Sequence, residues 1–270
     1  MNNRHLILII VLTLSIAKVG ASSSITSTPN VLTVSNTIIQ IGQNTVVSTI
    51  ISGGSNGPYS GQFTWFNSNQ INNQVVNTIV VGLNSQSVAF NPSGTLAYAI
   101  MENSPGTVNV IQVSSNTVVN TINVGSDPAG VAFNPSGTLA YVTNLGGTVN
   151  VIQVSSNTVI NTITVGSEPY GVAFNPSGTL AYVANSGGTT VSVVQFSSNT
   201  VVNTITVGYE PQSVAFNPSG TLAYVTNLDN TVNVIQVSSN TVVNAIVVGP
   251  NPQGIAFNPS GRVEGYALRV

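Results

Sequence analysis

The chain has no cysteine, and between Lys18 and Arg262 it has no lysine, arginine or histidine. Charged residues make up only 4% of its 270 residues, against about 25% in ordinary soluble domains. A fold without cysteine must hold without disulfides. Without histidine, cysteine or lysine, the body of the chain has no material for serine or cysteine triads, histidine-cysteine zinc sites or Schiff-base chemistry. Nor can it neutralise a row of phosphates, which excludes nucleic-acid binding. We therefore predict no cofactor and no nucleic-acid partner.

Residues 1–21 have the pattern of a secretory signal peptide. The short basic stretch that ends at His5 precedes an apolar run from Leu6 to Ala17, and small residues follow up to Ala21. The apolar run is shorter than the roughly 18 to 20 residues that a helix needs to cross a bilayer. We expect cleavage, export to the medium or the cell surface, and no membrane span in the mature chain.

An internal repeat dominates the remainder of the sequence. The motif Phe-Asn-Pro-Ser-Gly recurs every 41 to 43 residues, with its phenylalanine at Phe90, Phe133, Phe174, Phe216 and Phe257. Repeats of about 40 to 45 residues are typical of the four-stranded blades of β-propellers. The repeat that begins at Gly125 predicts four strands, at 130–133, 138–144, 148–154 and 158–165, separated by turn residues. The fold class is therefore all-β, a β-propeller of four-stranded antiparallel blades.

The number of blades depends on how the two ends of the chain are assigned. Four repeats are complete, at 82–124, 125–165, 166–207 and 208–248. A fifth blade would be split, with its first two strands in 255–270, its third in 63–67 and its last in 74–81. Joining the chain ends in one sheet would remove exposed edges and give five blades.

The segment 22–69 allows a second interpretation. It is a short β-rich N-terminal segment whose Gly53-Gly54 and Pro58-Tyr59, followed by Trp65, resemble part of an Ig-like or PKD-like module. In that case 70–270 is the propeller, and its ring is an open or truncated arc.

One tetrapeptide of the repeat carries a family resemblance. Tyr141-Val142-Thr143-Asn144 and Tyr224-Val225-Thr226-Asn227 resemble the signature of YVTN-type β-propeller repeats, which occur in archaeal and bacterial surface proteins. The resemblance implies a propeller fold and a surface-layer-like role. Related propellers include lactonases and the haem d1 domain of nitrite reductase. The first repeat departs from the signature with Tyr98-Ala99-Ile100-Met101, and the last decays at 265–268.

The repeats differ mainly on one face. Loops between blades and loops between the second and third strands of a blade should share that face, and they carry five of the six acidic residues. A ring of equivalent acidic and amide residues, with two tyrosines as stacking surfaces, predicts a ligand-binding rim for a cation such as calcium or for a glycan. The candidate residues are Asp127, Glu168 and Glu210, which are also the only candidate metal ligands, with Asn84, Asn251, Tyr170 and Tyr209. Equally, Asp, Glu and Asn before proline are ordinary turn residues.

Three functions compete on this evidence. Repeat uniformity, low charge and the leader favour a non-enzymatic scaffold of the cell surface, which would contact cell-envelope components or other copies of itself. A ligand-binding module that uses the acidic face is the alternative. A lactonase-like enzyme ranks last, because acid-base chemistry normally draws on several converging polar groups and the usual ones are missing here.

Overall fold

The computed structural model describes residues 77–257 and, outside that range, only the strands at 27–28, 31–32, 38–41, 44–47, 60–65 and 263–264. The predicted signal peptide, most of the predicted N-terminal segment and the decayed signature at 265–268 lie outside the described residues. Within the described parts no helix is present, and hence none that is long and apolar enough to cross a membrane.

The strands, in chain order, are β1 (Ser27–Thr28), β2 (Val31–Leu32), β3 (Ile38–Ile41), β4 (Asn44–Val47), β5 (Ser60–Trp65), β6 (Asn77–Leu83), β7 (Ser85–Phe90), β8 (Leu96–Met101), β9 (Thr107–Gln112), β10 (Thr117–Asn123), β11 (Pro128–Phe133), β12 (Leu139–Asn144), β13 (Thr148–Gln153), β14 (Thr158–Thr164), β15 (Pro169–Phe174), β16 (Leu180–Asn185), β17 (Thr190–Gln195), β18 (Thr200–Thr206), β19 (Pro211–Phe216), β20 (Leu222–Asn227), β21 (Thr231–Gln236), β22 (Thr241–Val247), β23 (Ala256–Phe257) and β24 (Val263–Glu264).

Sixteen of these strands form four antiparallel sheets of four strands each, which confirms the predicted propeller blades. Blade 1 is β7 to β10, blade 2 is β11 to β14, blade 3 is β15 to β18 and blade 4 is β19 to β22. The first strands of neighbouring blades contact one another, whereas the fourth strands barely do. The first strands therefore lie around the central axis, and the fourth strands, whose side chains are mostly exposed, form the outer edge.

The hydrophobic core lies between the blades. In the first junction Tyr98 and Ile100 of blade 1 pack with Val131 and Val142 of blade 2, all almost or fully buried. A repeated tyrosine packs against the phenylalanine of the next blade with tilted or edge-on rings, at 4.6 to 5.0 Å between ring centroids, in the pairs Tyr98–Phe133, Tyr141–Phe174, Tyr182–Phe216 and Tyr224–Phe257. Aromatic pairs at such distances add to the burial energy. Recurrence once per blade therefore reflects packing, as the repeat predicted.

A hydrogen bond to the following blade accompanies three of these aromatic pairs. The Tyr98 hydroxyl donates to Asn157 Oδ1 at 2.8 Å. The hydroxyls of Tyr141 and Tyr182 donate in the same way to Asn199 and Asn240. These asparagines lie in the turns between the third and fourth strands. Each junction is thus fixed by an apolar contact and a directed polar one.

The motif Asn-Pro-Ser-Gly forms the turn between the first and second strands. In blade 2 the Asn134 side chain accepts a hydrogen bond from the backbone N–H of Leu139 at 3.0 Å. The N–H of Gly137 donates to the carbonyl of Asn134 at 2.9 Å, and Gly137 has a φ of 70°. Such a left-handed conformation favours glycine, which explains why the motif is kept in every repeat.

Two partial sheets flank the four blades. Strand β5 pairs with β6, with Phe63 opposite Ile79, and these strands lie beside blade 1. At the other end β23 pairs with β24 and lies beside β19 of blade 4. These are the pairings expected for the outer and inner halves of one blade. The five-blade count and the alternative Ig-like interpretation of 22–69 both stay predictions.

Candidate functional site

The loops that vary between repeats share one face, which we call the variable face. Within each blade, a backbone hydrogen bond joins the loop after the second strand to the loop that enters the blade. Examples are Glu102 N–H to the Asn84 carbonyl at 2.9 Å and Leu145 N–H to the Asp127 carbonyl at 3.1 Å. Blades 3 and 4 repeat this bond. The variable face therefore combines the two sets of loops that the repeat alignment grouped together.

The five acidic and amide residues of the predicted ring occupy one turn position in successive repeats. All have left-handed backbone conformations, with φ between 46° and 55°, at Asn84, Asp127, Glu168, Glu210 and Asn251. Asparagine and aspartate tolerate this region better than most residues. The turn that precedes each first strand thus accounts for Asn84, Asp127 and Asn251, but this preference does not extend to Glu168 and Glu210.

The described residues contain no group of three or more acidic side chains that could hold a metal ion. Asp127, Glu168 and Glu210 are therefore spread around the face rather than brought together as a three-carboxylate centre. Calcium binding and glycan binding at the ring both stay predictions.

The two candidate tyrosines lie in different environments. Tyr209 is 57% exposed, and a hydrogen bond with the Glu210 carboxylate raises the pKa of its phenol. Tyr170 is half-buried at the start of β15. Burial, and after it the negative charge of Glu102, raises the pKa of Tyr170 to about 12. Tyr170 therefore keeps its proton at neutral pH.

Gln86 and Glu102 are joined by a hydrogen bond on the variable face, and the charge of Glu102 contributes to the raised pKa of Tyr170; we call these three residues the axial cluster. Gln86 in β7 donates a hydrogen bond from Nε2 to Glu102 Oε2. The other amide atom of Gln86, Oε1, is buried and has no partner. Blade 2 stands between the two blades that contribute these residues. At the position equivalent to Gln86 it has only Ala129. The cluster thus consists of a carboxylate, a protonated phenol and an amide whose oxygen is buried without a partner.

The position of Tyr170 depends on a close approach of two first strands. Thr143 accepts a hydrogen bond from the Gly130 N–H at 2.8 Å, and its own hydroxyl donates to the Tyr170 carbonyl at 2.6 Å. A Cβ on Gly130 would lie 2.3 Å from that same carbonyl oxygen. Glycine at 130 is therefore required for β11 to lie this close to β15, and Thr143 joins the two strands.

Sequence reasoning identified Tyr170 but did not select Gln86 or Glu102. Both lie in the first repeat, where Met101-Glu102 stands in place of the Asn144-Leu145 of the second repeat. That departure from the signature was the available signal. It shows that this repeat is different, although not that its carboxylate acts on a tyrosine two blades away.

Comparison with known families assigns the chain. The family model described as lactonase, seven-bladed β-propeller, matches residues 44–251. The chain belongs to this lactonase family. The predicted relation to β-propellers is confirmed. The predicted non-enzymatic scaffold was wrong, because the family to which the chain belongs is named for an enzymatic activity. The sequence argument had ranked that activity last.

Solved structures share the fold of this lactonase family member. Hydrazine synthase from Kuenenia stuttgartiensis matches with a TM-score of 0.63 and 24% identity over 66% of this chain and 53% of that chain. The β-propeller domain of Cps50 (Swd1) from Myceliophteria thermophila matches with a TM-score of 0.62 and 15% identity over 70% of this chain and 63% of that chain. The chain thus spans less than two thirds of either structure. No curated protein matches the sequence.

Proposed function

We propose that the protein hydrolyses lactones, which are cyclic esters, at the axial cluster. Membership of the lactonase family supports the reaction type. The observation that carries the proposal is the Glu102 carboxylate, which Gln86 Nε2 holds by a hydrogen bond on the variable face and whose charge contributes to the raised pKa of Tyr170. A carboxylate beside a protonated donor is the minimum equipment for adding water to an ester carbonyl.

In the proposed reaction Glu102 takes a proton from a water molecule while the water oxygen bonds to the lactone carbonyl carbon. The carbonyl oxygen gains negative charge and accepts a hydrogen bond from the Tyr170 hydroxyl, which stays protonated because the pKa of Tyr170 is about 12. The ring C–O bond then breaks, and the proton held by Glu102 passes to the leaving alkoxide oxygen. The product is an open-chain hydroxy acid.

Gln86 positions the base in this scheme. Its Nε2 donates to one oxygen of Glu102, which leaves the second oxygen to face water. Histidine, cysteine and lysine are not needed for these steps. Their absence therefore does not argue against hydrolysis by a carboxylate and a phenol.

The test measures acid release from a lactone in a pH-stat, with the spontaneous rate subtracted. We expect Glu102→Gln to lower kcat about 10²- to 10⁴-fold through loss of the base. Tyr170→Phe should lower it about 10²- to 10³-fold through loss of the oxyanion donor. The matched control is Glu168→Gln, because Glu168 lies on the same face in an exposed turn outside the cluster. No acid release above background from the intact protein, or full activity in Glu102→Gln, would refute the proposal.

We also infer that the protein acts outside the cytoplasm. The apolar run Leu6–Ala17 after a basic start supports export. The YVTN-like tetrapeptides Tyr141–Asn144 and Tyr224–Asn227 support a relationship to surface proteins as the finer assignment within the propeller group. A hydrolase at that location would meet lactones in the medium or at the cell envelope.

A further inference from the structure

The fourth strands of the blades, which we call the outer strands, are edge strands. In the part of the chain that the structure describes, β10, β14, β18 and β22 each pair with another strand on one side only. An unpaired edge exposes backbone N–H and C=O groups that can pair with a strand of another molecule. Lysine, proline or an inward-pointing charge usually prevents this pairing in β-proteins. The outer strands contain no charged residue and no proline.

The composition of the outer strands favours such pairing. Their sequences are TVVNTIN, TVINTIT, TVVNTIT and TVVNAIV. Short segments that are rich in β-branched residues and lack charge and proline are typical of strands that associate between molecules. Each outer strand also presents an aliphatic side chain that is 53 to 57% exposed, at Val119, Ile160, Val202 and Val243. A second copy of the chain could therefore add to these edges unless another feature blocks it.

A β-bulge interrupts every outer strand. In blade 2 the pairing with the third strand passes from Val159 to Asn161, so that Ile160 is left without a partner residue. The other three blades have the same shift at the equivalent positions. A bulge disrupts the regular ladder and increases the local twist. The longer regular piece of β14 is therefore the one that follows the bulge, at 161–164.

The asparagine at the start of that piece occupies a backbone donor. Asn161 Oδ1 accepts a hydrogen bond from the N–H of the next residue, Thr162, at 2.8 Å. The other blades have the same bond at 2.7 to 2.9 Å, from Thr121 to Asn120, from Thr204 to Asn203 and from Ala245 to Asn244. The bond is kept in blade 4, where alanine stands in place of threonine. It therefore depends on the asparagine and not on the residue that follows it.

The occupied N–H points to the open side of the outer strand. Val165 donates its N–H to the Gly147 carbonyl, on the side of the third strand. Successive N–H groups of a strand point to alternate sides, so the N–H of Thr162, three residues earlier, points to the open side. The same direction follows in the other blades from the equivalent bonds of Val124, Val207 and Val248. Within 161–164 the other outward N–H is that of Thr164, and hence an incoming strand does not meet two successive free donors.

We propose that the asparagine after each bulge prevents the outer strand from pairing with a strand of a second copy of the chain. These residues are Asn120, Asn161, Asn203 and Asn244. The asparagine side chain thus protects an uncharged edge by occupying its outward donor, where other proteins use charge. The proposal concerns the circumference of the propeller and is independent of the reaction at the axial cluster. It explains why asparagine, which is depleted in strands, recurs at this position in every blade.

The first experiment removes the four asparagines and measures association. The outer variant replaces each of them by valine, as in Asn161→Val, which frees the N–H of the next residue and keeps a high strand propensity. Sedimentation velocity over a concentration series gives the Kd of the dimer, and amide I infrared spectra detect strands that pair between molecules. We expect the wild-type protein to stay monomeric and the Kd of the dimer to fall about tenfold or more in the outer variant. Each antiparallel contact then gains one backbone hydrogen bond from each copy.

Two further variants separate the freed donor from added apolar surface. The matched control is Asn123→Val, Thr164→Val and Thr206→Val, which adds valine to exposed positions of the same strands and keeps the four asparagines. The second variant has lysine at the four asparagine positions, so it loses the same hydrogen bonds but gains charge at each edge. We expect both to stay monomeric. Equal association of the matched control and the outer variant would overturn the proposal, and so would an outer variant that stays monomeric.

The second experiment uses the unchanged protein, so it decides the question even where the outer variant fails to fold. The N–H groups of Thr162 and Thr164 both point to the open side, and that of Thr162 is bonded to Asn161. In amide hydrogen exchange followed by NMR, Thr162 should exchange about two- to tenfold more slowly than Thr164. Equal exchange rates would remove the basis of the proposal. The Tm of the outer variant should stay within about 4 °C of the wild-type value, and a larger fall without association would show that the asparagines only stabilise the fold.

Discussion

Gly130→Ala tests directly whether the contact between β11 and β15 holds the axial cluster in place. The new methyl group would lie 2.3 Å from the Tyr170 carbonyl oxygen and 3.1 Å from the Thr143 hydroxyl. Ordinary van der Waals contact begins at about 3.4 Å, so the strands must separate by about 1 Å. Because the obstructing atom belongs to the backbone, no side-chain rotation can relieve the clash.

The expected cost has three parts. Overpacking costs about 1 to 3 kcal/mol. Strand separation weakens the hydrogen bonds that Thr143 makes to the Gly130 N–H and the Tyr170 carbonyl, each worth about 0.5 to 1.5 kcal/mol. The reduced freedom of the unfolded chain returns about 0.4 to 1 kcal/mol. The free energy of unfolding should therefore fall by about 3 kcal/mol, which for a chain of this size lowers Tm by roughly 6 to 12 °C.

Urea denaturation followed by circular dichroism measures this change, and the lactone assay measures kcat in parallel. The control is Gly146→Ala in the same blade, where nothing lies within 4 Å of the new Cβ; it should change stability by less than about 0.5 kcal/mol. We expect Gly130→Ala to lower kcat as well, because Tyr170 moves with its backbone. Equal stability of the two variants would refute the argument from close approach.

Three further predictions concern the blade junctions and the leader. Tyr141→Phe should lower the free energy of unfolding by about 1 to 2 kcal/mol, since Asn199 loses its donor. Burial raises the pKa of three junction tyrosines to about 12, so the folded state holds protons that the unfolded state loses near pH 10. The free energy of unfolding should therefore be constant below about pH 10 and decline as the pH rises through 12. The decline should be less steep in Tyr141→Phe than in the original protein, as measured by urea titrations at each pH. The same decline in both proteins would contradict this prediction. Mass spectrometry of the exported protein should show an N-terminus at Ser22, and a retained leader would contradict cleavage.

Much of the fold could be predicted because the repeat combines two strong signals. Glycine, proline and asparagine at fixed positions mark the turns, and β-branched runs mark the strands. The strands predicted at 138–144, 148–154 and 158–165 are observed at 139–144, 148–153 and 158–164. The main difference is the first strand, which begins at Pro128 instead of Gly130. Proline is tolerated at the first residue of a strand, and local turn rules therefore placed the boundary two residues too late.

The site was harder to predict because Glu102 does not occupy the same position of the repeat as Gln86 and Tyr170. Alignment groups residues at one position of every blade, which is how Asp127, Glu168 and Glu210 were selected as a ring. The axial cluster instead combines a loop residue, Glu102, with a first-strand residue, Tyr170, two blades further on. Only the tertiary arrangement brings these positions together. The ranking of enzyme activity failed for a related reason, since it counted missing residue types instead of the groups that converge.

The repeated junction has a consequence for how such a protein can change in length. The tyrosine of one blade contacts a phenylalanine and an asparagine of the next blade, as Tyr141 contacts Phe174 and Asn199. A gene duplication or deletion of one whole repeat would therefore create a new junction with the same contacts as the old ones. The number of blades can therefore change during evolution while each interface between blades keeps its contacts. Only residues that depart from the repeat, such as Glu102, restrict a function to one particular blade.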